Sequence, residues 1–295
     1  MKKIAPLFVL AGGAMWGCMG LLVRTLNEQG LNSMEITALR CLVTSVCVAV
    51  LLLIFNRKAF VIRMKDIWCF IGTGIISVTF FNVCYFQTIT LTSLSVAAIL
   101  LYTAPTFVAL MAAVLFGEKL TGRKGIALVL AFLGCVLVTG IGGQERNVVP
   151  LGILMGLGSG IGYALYSIFG RYAIRRGYGS MTITLYTFLF ASAGTFPFVS
   201  YPKMVSCFEG NGKLAWIAVG LIVWTTVAPY FVYTLGLKYM EAGKASVIAS
   251  IEPVVATLVG VILYKEEMSA TGLVGILLVL GSITLMNISE KKKRE

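Results

Sequence analysis

Residues 97–105 read AAILLYTAP, and residues 245–253 read ASVIASIEP, 148 positions later. Both stretches are apolar runs that end on a proline. Outward from them, matched residues recur at offsets of 147 or 148 across most of the 295-residue chain. The identical pairs include Arg24 and Arg171, Gly30 and Gly177, Ser33 and Ser180, Lys65 and Lys213, Trp68 and Trp216, Tyr85 and Tyr233, and Glu118 and Glu266. The sequence is therefore an internal duplication of one unit of about half its length.

The composition and the length of the apolar runs indicate the fold class. Hydrophobic residues make up 58% of the chain and charged residues 12%, whereas a soluble domain has about 45–50% and about 25%. Charges or turn residues separate ten apolar runs, each close to the roughly 20 residues of a spanning helix. The runs are 4–23, 33–55, 67–88, 94–116, 125–141, 151–172, 181–201, 214–237, 245–264 and 271–288. Without strand-like alternation, such runs predict an all-α integral membrane protein with ten transmembrane helices.

The odd number of helices per unit determines how the two units lie in the membrane. With five helices in residues 1–147 and five in residues 148–295, the second unit enters the membrane from the opposite side. The halves are then inverted repeats related by a twofold axis in the membrane plane. Most of the 24 Lys and Arg residues fall in loops on the side of the N-terminus. This bias predicts a multi-pass protein of the inner cell membrane with both termini in the cytoplasm. The run 4–23 is long enough to span, so we expect it to be retained rather than cleaved as a signal peptide.

The repeated segments resemble a known family. The stretch 97–120, which ends in FGEKL, and its echo 245–266 are similar to the EamA repeat of the drug/metabolite transporter superfamily. Trp16-Gly17 and Arg40 fit the same pattern. This resemblance covers essentially the whole chain. It implies ten helices, a central cavity lined by helices one, three, four, six, eight and nine, and secondary transport. The expected direction is export, and the expected substrate is a small metabolite such as an amino acid.

Other functions have less support in the sequence. Histidine is absent, the seven cysteines show no paired spacing, and the single aspartate, Asp66, lies at a helix end. These features argue against an enzyme, a metal site and a cofactor. The formal charge of +12 is scattered between apolar runs, which is typical of a membrane protein and not of a nucleic-acid-binding one. An intramembrane enzyme and a passive channel, which would need polar rings along a continuous pore, stay as alternatives. The expected partners are a small-molecule substrate, the bilayer and, for coupled transport, protons; we expect a monomer rather than a dimer.

Glu252 is the candidate residue for coupling solute transport to the movement of protons. It lies near the middle of the ninth run, where an ionised carboxylate costs at least about 2.5–3.5 kcal/mol on insertion scales. A carboxylate at this depth either exchanges a proton or pairs with a cationic group of the substrate. The alternative is a structural role for the Glu-Pro pair.

Aromatic and polar residues at matched positions predict the rest of the binding site. Positions 82 and 85 correspond to 230 and 233, and position 16 corresponds to 163. Such residues would line an aromatic cavity with a few hydroxyl and amide groups, suited to a small amphipathic or zwitterionic solute. The predicted substrate-binding residues are Trp16, Asn82, Tyr85, Tyr102, Tyr163, Tyr166, Tyr230, Tyr233, Ser250 and Glu252.

Four further residues carry structural expectations. Pro105 and Pro253 interrupt their apolar runs, and because proline has no N–H, we predict a kink and a hinge at each. Arg40 lies about 10 Å into the second run at 1.5 Å per residue, so we expect its long side chain to reach the outer interface. Glu118, like its match in the second half, precedes a hydroxyl residue that can cap the next helix, and we expect it to stabilise that turn.

Overall fold

The fold is that of a computed structural model, which describes residues 3–139, 149–267 and 269–287. All regular elements in these residues are helical. The first half contains α1 (Ala5–Gly17), α2 (Met19–Asn27), α3 (Ser33–Phe55), α4 (Ile67–Ile71), α5 (Phe80–Leu91), α6 (Leu94–Leu101), α7 (Ala104–Phe116) and α8 (Gly122–Thr139). The second half contains α9 (Pro150–Arg175), α10 (Ser180–Thr195), α11 (Tyr201–Ser206), α12 (Gly212–Ile222), α13 (Ala228–Leu237), α14 (Ala242–Ala249), α15 (Glu252–Tyr264) and α16 (Ala270–Asn287).

The helices confirm an all-α integral membrane protein. Within the described ranges, eight helical segments are long and apolar enough to cross a membrane. They are Ala5–Asn27, Ser33–Phe55, Met64–Leu91, Val96–Phe116, Pro150–Arg175, Ser180–Phe198, Gly212–Leu237 and Ala242–Tyr264. The helices α8 and α16 lie where the fifth and tenth spans are predicted, but they are not among these eight segments. The number ten therefore stays a prediction.

The two halves interlock with matching contacts. The first helix of the first half, α1, packs against α13, α14 and α15 of the second half. The first helix of the second half, α9, packs in the same way against α5, α6 and α7. In addition, α3 packs on α10 and α8 packs on α16. In both pairs the two helices occupy equivalent positions in the two repeats. The paired contacts place the interface between the halves at the centre of the protein.

Glycines allow the closest of these contacts. A Cβ atom on Gly17 would lie 2.6 Å from the carbonyl oxygen of Glu252, so α1 approaches the start of α15 at backbone distance. In the other half, a Cβ on Gly160 would lie 2.6 Å from Oγ1 of Thr103. The small residues on α1 and α9, the first and sixth spans, therefore let these helices pack closely against helices of the opposite half.

We expect Gly17→Ala to destabilise the protein and Gly20→Ala, three residues further on in α2, to leave its stability unchanged. Overpacking a close contact costs about 1–3 kcal/mol, which corresponds to a fall of roughly 5 °C in the unfolding temperature. A Cβ on Gly20 has no neighbour within 4 Å. Thermal unfolding of both variants in detergent measures the difference, and equal unfolding temperatures would show that α1 does not need the glycine.

Three spans are broken rather than continuous. The first is interrupted at Cys18, the fourth at Tyr102 and Thr103, and the ninth at Ser250 and Ile251. In the fourth and ninth spans, where only a kink was predicted, the chain leaves the helix shortly before Pro105 and Pro253. The proline then occupies the first turn of the following helix, where its missing N–H is not needed. The hinge role of both prolines stays a prediction.

Two spans contain wider π-helical turns. Residues Gly72–Thr79 join α4 to α5, and residues Val223–Val227 join α12 to α13. The two segments overlap at the 148-residue offset. Such turns insert one extra residue into a helix and frequently occur at functional sites. The apolar runs do not reveal these turns, because an extra residue leaves the run apolar.

Candidate functional site

Aromatic rings from three helices meet at the centre of the interface between the halves. The ring of Trp16 in α1 lies 5.1 Å from the ring of Tyr230, 5.1 Å from that of Tyr233, and 6.4 Å from that of Tyr163. The ring of Tyr166 lies 4.9 Å from that of Tyr230. These five predicted residues form one aromatic cluster, contributed by α1, α9 and α13.

Two small cavities adjoin the aromatic cluster. The first is lined by Leu101, Tyr102, Ala104, Pro105, Val108, Tyr163, Ser167, Tyr233, Ser246, Ala249, Ser250 and Glu252. The second is lined by Trp16, Ser77, Val78, Phe81, Tyr163, Tyr166, Ser167, Tyr230 and Tyr233. Each cavity leaves about 20 Å³ for the centre of a water-sized sphere, which is room for about one water molecule.

A thin partition separates the cavities. Tyr163, Ser167 and Tyr233 line both of them. The hydroxyl oxygens of Ser167 and Tyr233 lie 2.7 Å apart and share a hydrogen bond. Ser167 was not predicted, although it lies one turn beyond Tyr163 on the same helix.

Glu252 presents a carboxylate to the first cavity. It is the first residue of α15 and follows directly on the break in the ninth span. The hydroxyl of Tyr163 donates a hydrogen bond of 3.0 Å to its Oε2 atom. Of the described residues that line the two cavities, Glu252 is the only carboxylate. A carboxylate at the first turn of a helix is stabilised by the helix dipole, and this one can bind a proton or a cationic group.

Arg40 lies against the second half. Its Nε atom donates a hydrogen bond of 3.1 Å to Oγ1 of Thr226, a buried residue of the second π-helical turn. Sequence reasoning did not predict this contact, because the partner is 186 residues away in the sequence. The interfacial position of the Arg40 side chain stays a prediction.

Two predicted residues lie outside the cavities. Asn82 donates from Nδ2 to the carbonyl oxygen of Val78 at 2.7 Å, and its Oδ1 accepts from the hydroxyl of Thr37 at 3.2 Å. It thus links α5 to α3. The ring of Tyr85 contacts that of Phe81 at 5.8 Å. Tyr102 and Ser250, by contrast, line the first cavity; their role in substrate binding stays a prediction.

A glutamate joins the halves on one membrane face. We call this the N-terminal face; it carries the loops that follow α3, α7, α9 and α13. Beyond the end of α7, the carboxylate of Glu118 accepts hydrogen bonds from the backbone N–H groups of Ala242 at 2.8 Å and Gly243 at 3.1 Å. These are the first residues of α14, in the other half. Lys124 adds an ion pair of 2.6 Å to Glu241 beside them.

The equivalent glutamate on the opposite face has other partners. Glu266 forms an exposed ion pair with Arg24. The start of α6, which corresponds to the start of α14, is capped instead by the hydroxyl of Ser93, which accepts from the N–H of Val96 at 3.2 Å. The turn-stabilising role predicted for both glutamates is filled by hydroxyls, with Thr121 accepting from the N–H of Lys124 at 3.3 Å.

Comparison with known proteins adds to this geometry. The sequence profile of the EamA-like transporter family matches residues 3–140 and again residues 150–288. The chain belongs to the EamA-like transporter family. An uncharacterized transporter of Archaeoglobus fulgidus is 30% identical to this EamA protein over 201 residues, which are 68% of this chain and 70% of the relative. The uncharacterized inner membrane transporter YicL of Salmonella typhimurium is 22% identical, with 97% and 95% of the two chains covered.

A solved crystal structure shares the fold. It superposes on this EamA protein with a TM-score of 0.78 at 17% identity, and the match covers 97% of this chain and 96% of the other. The family and the relatives establish a multi-pass membrane transporter with a two-repeat architecture. Among the residues that the structure describes, no group of three or more Cys, Asp and Glu side chains is arranged to hold a metal ion.

The two EamA repeats differ at their intramembrane charges. Arg40 corresponds to Thr187 at the offset of 147, and Glu252 corresponds to Ala104 at the offset of 148. The first half therefore contributes a cation, and the second half an anion, at positions that are uncharged in the other repeat.

Proposed function

We propose that this EamA protein is a secondary carrier that exports a small amphipathic solute with an amino group, such as an amino acid, by alternating access. The observation that supports this is the unequal state of two equivalent contacts. Glu118 binds the start of α14 on the N-terminal face, whereas Glu266 on the opposite face pairs with Arg24. Inverted halves that make such a contact on one face at a time expose a central site to each side in turn.

The side chains around the central cavities suit a small solute. Aromatic rings supply apolar contact area, and the hydroxyls of Ser167, Tyr233 and Ser250 supply a few hydrogen-bonding groups. The carboxylate of Glu252 offers a partner for an ammonium group. Together these features are typical of sites for ligands that are apolar at one end and polar at the other.

Glu252 is also the group that we propose exchanges protons for the solute. A carboxylate that binds either a proton or an ammonium group, but not both, couples the movement of one to the movement of the other. The outward direction follows from the resemblance to EamA exporters.

The orientation and the working unit belong to the same proposal. Both termini lie in the cytoplasm, the repeats divide near residue 147, and the monomer is the working unit because both inverted halves are in one chain. Reporter fusions at Arg24 and at Arg171 should then lie on opposite faces of the bilayer. Reporters on the same face would contradict the inverted arrangement.

The alternatives make different predictions. A passive channel would need an open path, whereas the partition of Ser167 and Tyr233 divides the centre. An intramembrane enzyme would need several acid–base groups at one point, and Glu252 is the only carboxylate among the described residues that line the cavities.

Counterflow distinguishes a carrier from a channel. Purified protein in liposomes is loaded with one of the twenty amino acids, chosen by a thermal-stabilisation screen, and uptake of the labelled form is followed. We expect preloading to accelerate uptake, because the returning carrier binds solute on the inside. Uptake that is the same with and without preloading would indicate a channel, and the absence of uptake for all twenty would reject the proposed substrate class.

A further inference from the structure

An open groove on the N-terminal face lies between the two halves of the chain. It is formed by the loop after α3 in the first half and, in the second half, by the loop after α9, the start of α10 and the end of α13. The groove leaves about 620 Å³ for the centre of a water-sized sphere, whereas each central cavity leaves about 20 Å³. It therefore has room for a ligand of many atoms, away from the central site.

The groove carries charges of one sign. Lys58, Arg63, Arg176 and Lys238 line it, and none of the described residues that line it is acidic. Both lysines are exposed, and the ammonium group of Lys238 lies 5.6 Å from the centre of the Tyr239 ring. Within the described ranges, neither lysine has an ion-pair partner. Both can therefore pair with an anionic ligand.

A buried carboxylate positions the two arginines. The side chain of Asp66 is fully buried, and it accepts hydrogen bonds from Nε of Arg63 at 2.8 Å, from Nη1 of Arg176 and from the hydroxyl of Tyr178 at 2.9 Å. The side chains of Arg63 and Arg176 remain 54% and 36% exposed. Four cations and this one carboxylate leave a net charge of +3 at the groove. Guanidinium groups held in this way are well suited to bind a phosphate group.

The start of α10 adds backbone donors to the same groove. The helix begins at Ser180, and Gly179 before it has no side chain that could cap the first turn. Gly179 and the first residues of α10 line the groove. Because uncapped N–H groups at a helix start attract anions, this part of the groove adds to the attraction that the four cations exert on a phosphate group.

The wall formed by α13 changes from apolar to basic along one helix face. Phe231, Leu235 and Lys238 all line the groove, and their i, i+4, i+7 spacing places them on the same face. Phe231 and Leu235 lie within the apolar segment Gly212–Leu237, and Lys238 is the residue that follows it. A phospholipid has the same order, with its chains in the hydrocarbon and its phosphate at the surface. A soluble anion would match only the basic end.

The repeated architecture does not account for these charges. For three of the four cations, an uncharged residue stands at the equivalent position of the other repeat. These residues are Gln29 for Arg176, Thr90 for Lys238 and Asn211 for Arg63. The excess of Lys and Arg on this face explains the sign of the charges, but it does not explain why four of them line one groove.

We propose that this groove binds an anionic phospholipid from the leaflet on the N-terminal face. The phosphate lies at the four cations, and an acyl chain lies along Phe231 and Leu235. Basic pockets beside transmembrane helices bind lipid head groups in this way. The site is separate from the central cavities and goes beyond the proposed carrier function. Because the lipid contacts both halves of the folded chain, its binding stabilises the protein.

Thermal unfolding of the purified full-length protein in an uncharged detergent measures the binding. The protein is titrated with dioleoylphosphatidylglycerol, with dioleoylphosphatidylcholine, which has no net charge, and with glycerol 3-phosphate, which has no acyl chains. We expect only phosphatidylglycerol to raise the unfolding temperature, and to do so with saturation. An equal rise with phosphatidylcholine would show that the groove does not select an anion. An equal rise with glycerol 3-phosphate would show that the ligand is a soluble phosphate, and either result overturns the proposal.

Two double variants locate the site. Lys58→Gln with Lys238→Gln removes the two groove cations that have no ion-pair partner among the described residues, so the fold should be kept. The phosphatidylglycerol concentration at half-saturation should rise about 30-fold, because each cation near an anionic lipid contributes about 5-fold. Lys65→Gln with Lys119→Gln removes the same charge from exposed positions of the same face outside the groove, and it should leave half-saturation unchanged.

The two variants separate a groove from a general attraction of lipid to a positive face. Equal rises in both would mean that the lipid binds the whole face and not the groove. An unchanged value in the groove variant would exclude Lys58 and Lys238 from the site. Since unfolding temperature does not depend on transport, either result is independent of the proposed carrier function.

Discussion

Transport by the Glu252→Gln variant should fall at least about 100-fold and lose its dependence on pH. Glutamine has the same shape, and its amide oxygen can still accept the hydrogen bond from Tyr163 that Glu252 accepts at 3.0 Å. The substitution therefore removes the proton and the charge while it preserves the packing. A charge-assisted contact of this kind contributes about 1.5–3 kcal/mol, and its loss from both solute binding and proton exchange accounts for the size of the effect.

Two controls isolate the carboxylate. Tyr163→Phe removes the hydrogen bond and keeps Glu252, so we expect a smaller loss, about 10-fold, with the pH profile retained. Glu209→Gln changes an exposed carboxylate in the loop before α12 and should have no effect. Initial rates in liposomes at several pH values give the answer. A Glu252→Gln variant with the wild-type rate and pH profile would exclude Glu252 from both solute binding and proton coupling.

The second large effect is expected at Glu118 and Glu266, the equivalent glutamates of the two repeats. Glu118→Gln should open the N-terminal face, because an amide offers one oxygen where the carboxylate of Glu118 accepts from the N–H groups of both Ala242 and Gly243. The loss of about 1.5–3 kcal/mol shifts the equilibrium between the two conformations by roughly 10- to 150-fold. By symmetry, we expect Glu266 to bind the start of α6 in the other conformation, so Glu266→Gln should shift the equilibrium the opposite way.

Cysteine labelling measures the shift. In a protein without its seven native cysteines, Ser246→Cys reports from the first cavity beneath the Glu118 contact, and Ala98→Cys is its equivalent in α6. A water-soluble maleimide should label position 246 faster in Glu118→Gln and more slowly in Glu266→Gln, with the reverse order at position 98. The ion pair of Glu266 with Arg24 is exposed and contributes little. Equal changes in both variants would contradict alternating use of the two glutamates.

Sequence reasoning succeeded where the cause is local. Apolar runs predict spans because each run must satisfy its own backbone in lipid, and matched pairs such as Trp68 and Trp216 reveal the duplication. The helix breaks were predicted only as kinks. Proline marks the neighbourhood, but the residues that leave the helix, Tyr102 and Thr103 in the first half, depend on the glycine-lined contact with α9.

Sequence matching placed only some of the predicted residues around the central cavities. Offset matching correctly paired Trp16 with Tyr163, which lie together at the centre. It also equated Asn82 with Tyr230, yet Asn82 bonds to Thr37 and lies outside the cavities. Matching assumes that both halves have the same conformation. The two halves differ in their contacts, since Glu118 binds the start of α14 whereas Glu266 pairs with Arg24, so equivalent residues face different surroundings.

The π-helical turns carry a record of how the chain arose. They overlap at equivalent positions, residues 75–79 and 223–227, and one extra residue in a helix is an insertion in the gene. A single insertion before the duplication accounts for both turns, whereas two separate insertions would have to coincide. We infer that the repeated unit already had this bulge when it was duplicated.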